Sequence, residues 1–536
     1  LVIALGAAGG SYLWLRRTVG SPSQTAAAYL SAWQRGAYPA MDKVSLNVPR
    51  SGLAGPLKQA AAELGVRRLR LSPGRVTAAG GSAQAQFTAE AVLASGHTWR
   101  YQGRLHLISK NRHWWVSWSP AAIYPGLRPG DRFVLSAAWP ARAQVLAADG
   151  TVLSSPTAIA KSGSLALLTG NVVAATAAEA KKLGPPYKAG DQIGQGGIEQ
   201  AYQRQLAGRP SLTIRIEAPG HRVDATAARF PAVAGKPVRT SIDLRTQLAA
   251  SRAVSSAGTA KPVDIVAIQP STGKVVAVVE RPGGFDRALD GIFPPGSTFK
   301  IVTASALVRK GLRPSSTVQC PSQVTIGGRT FHNDNNEHLG ATTLRTAFAV
   351  SCNSTFAMLT SQRLTGASLG SMAATFGFNA NPVLGIPATL GRFTTPRAPV
   401  DLAAAAFGQG KDLVNPLSQA SVVAAIEDGT WRPPQLVTSP APAQPVRPHA
   451  VPATILDALR PMMHAVVTIG TAAGVGFPPG VYGKTGTAQY GPGPNPPSHG
   501  WFIGYRGDLA FAVLVEGGGT GADSAGPIAN AFLHRL

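Results

Sequence analysis

Acidic residues and cysteine are what this sequence is short of. Its 536 residues hold 25 Asp and Glu against 50 Lys and Arg, and charged residues make up only 14% of the chain. A typical soluble domain carries about 25%. Two cysteines exclude a disulfide-stapled mini-protein and the common four-ligand zinc modules. Lys and Arg never run five together and are not gathered on one aromatic-rich module, which argues against a nucleic-acid partner. The net charge of +25 reads instead as solubility with weak attraction to anionic surfaces. The 60 Gly and 43 Pro follow no triplet, which excludes collagen. The uncharged opening Leu1–Leu15 falls short of the roughly 20 apolar residues that span a membrane. The chain begins at Leu, however, so residues 1–17 read as part of a single-pass anchor, with a cleaved signal or an amphipathic start as alternatives. Arg16-Arg17 alone do not fix its orientation.

What is present is enough apolar residue, 44%, for several cores, and a length that suggests about three or four domains. Residues 21–130 read as one α+β unit. Helical spacing over Thr25–Gly36 and Leu57–Leu64 is followed by alternating strands at Ala85–Val92, Trp99–Ile108 and Trp114–Ser119, the pattern of helices on a curved sheet. Residues 132–236 form a looser second module. Residues 240–536 form a larger domain, opening with a helix for which Ser241 is the expected N-cap. A hairpin follows around Pro270–Gly273, and three strands close the chain, with Arg506-Gly507-Asp508 as a hairpin tip rather than an adhesion motif. Early and late strands around a helical middle predict a sheet whose two ends meet.

The chemistry concentrates in three short motifs. Pro294-Pro295-Gly296 stops whatever precedes it, and Phe299–Lys310 then reads as a strong helix ending at Gly311. Ser297 lies at its N-terminus, with Lys300 one turn on and on the same face. A serine hydroxyl becomes a nucleophile when a base takes its proton, and a lysine is that base only where burial or a like charge depresses its pKa. A Ser-x-x-Lys alone is weak, and Ser271–Lys274 repeats it in a hairpin where the two residues share no helix face. The second motif is Ser351-Cys352-Asn353, with copies at Ser45–Asn47 and Ser109–Asn111 in the N-terminal unit. The third is Lys484-Thr485-Gly486-Thr487 on a late strand. Gly486 leaves that strand's edge open to an extended substrate. The weaker copy Lys161-Ser162-Gly163 lies outside the large domain.

In this order the three motifs resemble the penicillin-recognising serine transferases and hydrolases. The whole plan is similar to a class B penicillin-binding protein. Trp114–Pro120 resembles the nuclear transport factor 2-like N-terminal domain of the methicillin-resistance type. Arg142–Leu153 resembles the start of the dimerisation, or pedestal, module, departing from its pattern at Ala143, Ala147 and Ala148. The resemblance implies a multidomain α+β fold: a nuclear transport factor 2-like cone, an extended pedestal, and a serine transpeptidase domain whose antiparallel sheet has helices on both faces beside a helical subdomain. It implies a D,D-transpeptidase of peptidoglycan synthesis that needs no cofactor and no metal. Ser297 is then the nucleophile and Lys300 its base. Ser351 relays a proton to the leaving amine, and Asn353 holds Lys300 and the acyl amide. Lys484, Thr485 and Thr487 receive the substrate carboxylate, while the N–H groups of Ser297 and Thr487 form the oxyanion hole.

The partners implied are peptidoglycan stem peptides as D-Ala-D-Ala donor and amine acceptor, β-lactams, a membrane, and a glycosyltransferase or cell-wall synthesis complex. The catalytic domain is then extracytoplasmic. A β-lactamase and a penicillin sensor or scaffold are the alternatives. The absence of a glycosyltransferase-sized segment ahead of the pedestal argues for a monofunctional enzyme. His499 is expected to make a structural hydrogen bond, and Asn333–Glu337 to be a polar loop near the site. Cys320 and Cys352 either pair, tethering the Ser351 loop, or remain two buried thiols.

Overall fold

The structure, a computed structural model, describes residues 19–283, 286–443, 445–493 and 495–536. The expected anchor, residues 1–17, lies outside the described residues. Among those described, no helix is long and apolar enough to cross a membrane.

The chain divides into two compact units. The first comprises the described residues up to Ala143, Ala174–Gln192 and Ala207–Lys236. Helix α1 (Pro22–Gln34) starts three residues earlier than its apolar spacing suggests, because Ser21 and Gln24 form a reciprocal capping box ahead of it. It packs on a sheet of strands β1 (Ser45–Leu46), β2 (Val66–Ala79), β3 (Ser82–Leu93), β4 (Thr98–Lys110) and β5 (His113–Ser117), in the order β1-β5-β4-β3-β2, and α2 (Ala54–Leu64) adds Leu57, Ala60 and Leu64 to the same core. Tyr29, Trp33, Phe87, Leu105 and Val116 fill the space between. Gly103 has no alternative there, since a Cβ would stand 2.0 Å from the Phe87 ring. Strand β2 is missing from the sequence reading. It is an edge strand exposed along most of both faces, so it carries no alternation for a pattern to detect.

Residues 132–236, expected as one module, are shared between the two units. Strands β6 (Arg132–Ala138), β7 (Ser211–Ala218) and β8 (Arg222–Phe230) form a sheet in the order β8-β7-β6. Phe133, Leu212, Ile214 and Ile216 join the core of the first unit. Gln144–Val173 and Ile193–Leu206 belong instead with Pro237–Leu536. Their attachment is polar and specific: Ser164 Oγ donates to the Glu280 carbonyl at 3.0 Å, and Gln247 Nε2 donates to Ser162 Oγ at 3.2 Å. Lys161-Ser162-Gly163 lies in the Gln144–Val173 stretch of that unit, ahead of Pro237–Leu536 in the chain.

That unit is built on an antiparallel sheet of β9 (Val263–Gln269), β10 (Lys274–Arg281), β11 (Tyr482–Gln489), β12 (Ser498–Tyr505) and β13 (Ala510–Val515), in the order β10-β9-β13-β12-β11. The first and last strands of the domain meet at β9 and β13, as the pattern of early and late strands predicts. Helix α3 (Leu244–Ser255) packs on this sheet and on α10 (Ala525–Leu533), while α8 (Pro416–Asp428) packs on β9, β12 and β13. Helix α8 is buried along nearly its whole length, so it lacks a polar face. The N-cap of α3 is Asp243, whose carboxylate accepts from Thr246 N at 2.7 Å. Ser241 sits two residues earlier in extended chain and donates its hydroxyl to the Val275 and Gln435 carbonyls. Arg506-Gly507-Asp508 is the expected hairpin tip, but Asp508 is engaged at home, accepting from Gln269 Nε2, Ser271 N and Ser271 Oγ.

Candidate active site

Ser297 stands in a 3₁₀ turn, Gly296–Phe299, that leads directly into α4 (Lys300–Arg309). The turn is pinned from several sides. Gly296 N donates to Gly408 O at 3.1 Å, Thr298 Oγ1 donates to Pro295 O at 2.8 Å, and Gln419 Nε2 donates to Thr298 Oγ1 at 2.6 Å. Trp501 Nε1, from β12, donates to Pro294 O at 3.1 Å.

Lys300 is fully buried. Its Nζ lies 2.9 Å from Ser297 Oγ, 2.6 Å from Ser351 O, 3.0 Å from Ser351 Oγ and 2.6 Å from Asn353 Oδ1. Lys484, also fully buried, places Nζ 3.0 Å from the same Ser351 Oγ and 3.2 Å from Thr485 O. One hydroxyl thus sits between two amines. Neither amine has a carboxylate ion-pair partner among the described residues; both face rings, of Phe356 and Phe407 for Lys300 and of Phe348 for Lys484. Burial, and then the Lys484 charge, hold the Lys300 pKa well below the ordinary lysine value, against an opposing pull from Asp334 and Glu337. Burial lowers Lys484 to about 7, again opposed by Asp334. The depression favours the neutral Lys300 amine, the form that has a lone pair to offer the Ser297 proton.

Ser351 and Asn353 owe their place to a break between α5 (Leu344–Ala349) and α6 (Asn353–Arg363). Ser351 adopts φ +66°, a left-handed conformation costing about 1–3 kcal/mol for a residue with a side chain. The surrounding bonds hold it there. Cys352 N donates to Ala347 O at 2.8 Å, and Cys352 is disulfide-bonded to Cys320, with Cα atoms 6.2 Å apart. The bridge resolves the open cysteine question in favour of the tether. Asn353 Nδ2 donates to His332 O at 3.1 Å. Buried Asn333 stitches the polar loop to the same turn: its Nδ2 donates to the Pro321 and Glu337 carbonyls, and its Oδ1 accepts from Ser354 N. Asp334 thereby comes close enough to act on both lysines, and Glu337 on Lys300.

Thr485, Gly486 and Thr487 lie on β11, the edge strand. The structure revises the role expected of Gly486. A Cβ there would point at Thr298 Cγ2, Pro295 O and Trp501 Cβ, all at 2.9–3.0 Å. The glycine lets the strand press against the Ser297 turn instead of clearing room for substrate. Two contacts were invisible in the sequence. Thr471, after helix α9 (Ala453–Thr468), shares a 2.6 Å hydrogen bond between its hydroxyl and that of Thr485. Gln409 Nε2 donates to Thr487 O at 3.3 Å. His499 accepts from Gly517 N at Nδ1 (3.2 Å), stacks on Tyr490, and is held near 4 by burial. The Ser271–Lys274 copy sits in its hairpin turn; Ser45–Asn47 and Ser109–Asn111 belong to the first unit.

Asp412, three residues beyond Gln409, is 1% exposed with neither carboxylate oxygen hydrogen-bonded. Burial pushes its carboxyl up to about 8. The folded value lies above the unfolded one, so its contribution to stability is complete below about pH 4 and is lost as pH rises through about 8. Asp412→Asn is expected to raise the melting temperature by several degrees at pH 9 and by about half as much at pH 6. Equal shifts at both pH values in thermal melts count against this sign.

Comparison with known proteins agrees with this geometry. The chain matches sequence profiles for the penicillin binding protein transpeptidase domain over residues 264–534, the NTF2-like N-terminal transpeptidase domain over residues 21–131, and the penicillin-binding protein dimerisation domain over residues 159–240. It is 31% identical over 336 residues to the peptidoglycan D,D-transpeptidase PbpA of Mycolicibacterium smegmatis, covering 50% of this chain and 66% of that one. It is 24% identical over 406 residues to the peptidoglycan D,D-transpeptidase MrdA of Acinetobacter baumannii, covering 63% and 60%. The matches thus span about two thirds or less of these relatives' length. Among solved structures, Pseudomonas aeruginosa PBP2 in complex with WCK 5153 superposes with a TM-score of 0.63 at 24% identity, over 75% of this chain and 96% of that one. PBP2 of Helicobacter pylori, in its complex with MreC, gives 0.62 at 16% identity, over 75% and 98%. These two likenesses carry the fold.

Proposed function

The chain belongs to the penicillin-binding protein transpeptidase family, and from that premise we propose that it is a peptidoglycan D,D-transpeptidase working through a serine acyl-enzyme. The observation that carries the reading is the buried Lys300 amine 2.9 Å from Ser297 Oγ, with no carboxylate ion-paired to it among the described residues.

In this mechanism Lys300 takes the proton as Ser297 Oγ attacks the carbonyl between the two terminal D-alanines. The oxyanion is received by the N–H groups of Ser297 and Thr487, donors that typically contribute about 10²–10³ in rate each. Ser351, between the two lysine nitrogens, passes a proton to the departing D-Ala amine. Lys484, Thr485 and Thr487 hold that residue's carboxylate, and Asn353 orients Lys300 and the acyl amide. An amine of a second stem peptide then attacks the ester, forming the cross-link and releasing Ser297. A β-lactam presents the same carbonyl and acylates the same serine.

The disulfide supports an oxidising, extracytoplasmic location, and residues 1–17 support an anchor there. Work beside a glycosyltransferase of a cell-wall synthesis complex belongs to the same reading. Intact-mass measurement after benzylpenicillin treatment, followed by peptide mapping, tests it. One adduct on the peptide containing Ser297 is expected; no adduct, or one elsewhere, overturns the assignment.

A further inference from the structure

Beside the catalytic turn lies a cavity of about 780 Å³ that the mechanism does not use. Its wall carries three cations, Arg329, Arg397 and Lys411, against one acid, Asp401. None of the three makes an ion pair among the described residues, although Arg329 lies 5.2 Å over the Phe331 ring. Asp401 is on α7 (Pro399–Ala405), one turn after Arg397. Gln409 stands on the same wall.

Gln409 ties this cavity to the active site. Its side chain meets the carbonyl of Thr487 on β11. The preceding Gly408 carbonyl accepts from Gly296 N beside Ser297, and the Phe407 ring centroid is 5.9 Å from Lys300 Nζ. Strand β11 has a partner on one side only. A peptide laid along its free edge with its terminal carboxylate at Lys484 and Thr485 runs on past Thr487, to where Gln409 stands. The portion of the peptide preceding its two D-alanines then reaches the cationic wall.

We propose that this cavity is a subsite for an anionic peptide, in which Arg397 and Lys411, with Arg329, receive carboxylates lying N-terminal to the D-Ala-D-Ala end of the donor. The proposal rests on the transpeptidase reading and names the substrate feature the site selects. Guanidinium and ammonium groups that make no ion pair among the described residues gain charge-assisted bonds on binding. No internal ion pair has to be broken first. A donor whose carboxylates are amidated forfeits those bonds.

The test reads how strongly a peptide slows acylation of Ser297 by a fluorescent penicillin, each variant being compared with its own rate without peptide. The probes are L-Ala-γ-D-Glu-L-Lys-D-Ala-D-Ala and its isoglutamine form, in which the free Glu carboxylate is amidated. The acid peptide is expected to protect at about tenfold lower concentration than the amide. In Arg397→Gln/Lys411→Gln that preference falls to within about twofold, and Arg329→Gln, on the same wall, reduces it in the same direction. Equal protection by the two peptides in the unmodified protein overturns the proposal, as does a preference that survives both variants. Inorganic pyrophosphate is the third arm. Protection by it that matches the acid peptide marks a general phosphate site and also overturns the peptide assignment. Failure of the transpeptidase reading is distinct, because it appears as the absence of any penicillin adduct on Ser297, and it removes the subsite with it.

Discussion

Replacing Lys300 with Met is expected to slow acylation by benzylpenicillin about 10³–10⁴-fold. Among the described residues Ser297 Oγ meets one base: it lies within hydrogen-bond reach of Lys300 Nζ, whereas Lys484 Nζ bonds to Ser351 Oγ. The same substitution should leave the protein at least as stable at neutral pH. A lysine whose folded pKa is depressed contributes stability that is present above its unfolded value and lost as pH falls through the folded one. Methionine, with similar volume and no charge, avoids that loss. The acid limb of the acylation profile, set in the unmodified protein by protonation of Lys300, should disappear from the residual rate. Stopped-flow acylation across pH 5–10, read beside thermal melts, separates the outcomes. A mild loss of rate, or a lost rate accompanied by a collapsed melting temperature, counts against Lys300 as the base.

Gly296→Ala is expected to reduce acylation at least about 10²-fold and to destabilise the protein by roughly 2–4 kcal/mol. Gly296 sits at φ +53°, and a Cβ built on it would lie 2.5 Å from the Thr487 carbonyl oxygen and 2.8 Å from its carbon. The left-handed conformation alone costs alanine about 1 kcal/mol. The larger part is steric, because the colliding atoms are backbone and no flexible side chain is available to yield. Relief requires β11 to move away from the Ser297 turn, carrying the Thr487 N–H from the oxyanion position proposed for it. Gly408 crowds the turn from its other side, since a Cβ there would stand 2.2 Å from Gly296 O. The substitution should therefore depress the rate more than the stability loss alone explains. Acylation kinetics below the melting transition, with urea unfolding of the same variant, check this. Near-native kinetics would show that the turn and strand adjust independently.

The sequence by itself determined the chemistry and its order along the chain: a serine and lysine one turn apart after Pro294-Pro295-Gly296, a Ser351–Asn353 turn, and a strand bearing Lys484–Thr487. It also determined most strands of the large domain and the meeting of its two ends. These are local signals, fixed by proline and glycine punctuation and by periods of two and 3.6 residues. Tertiary structure alone decided the protonation of the site. The depressed lysine pKa values come from complete burial and from bringing Lys300 and Lys484 to one hydroxyl, and no local pattern encodes either. It also decided that Gly486 seats a strand against a turn, and that Cys320 bridges to Cys352. Gln409 and Thr471 reach the catalytic strand, and buried Asp412 is left without a partner, for the same reason. Each depends on which distant segments the closed sheet brings together, and exclusion of water and steric contact act only after that closure.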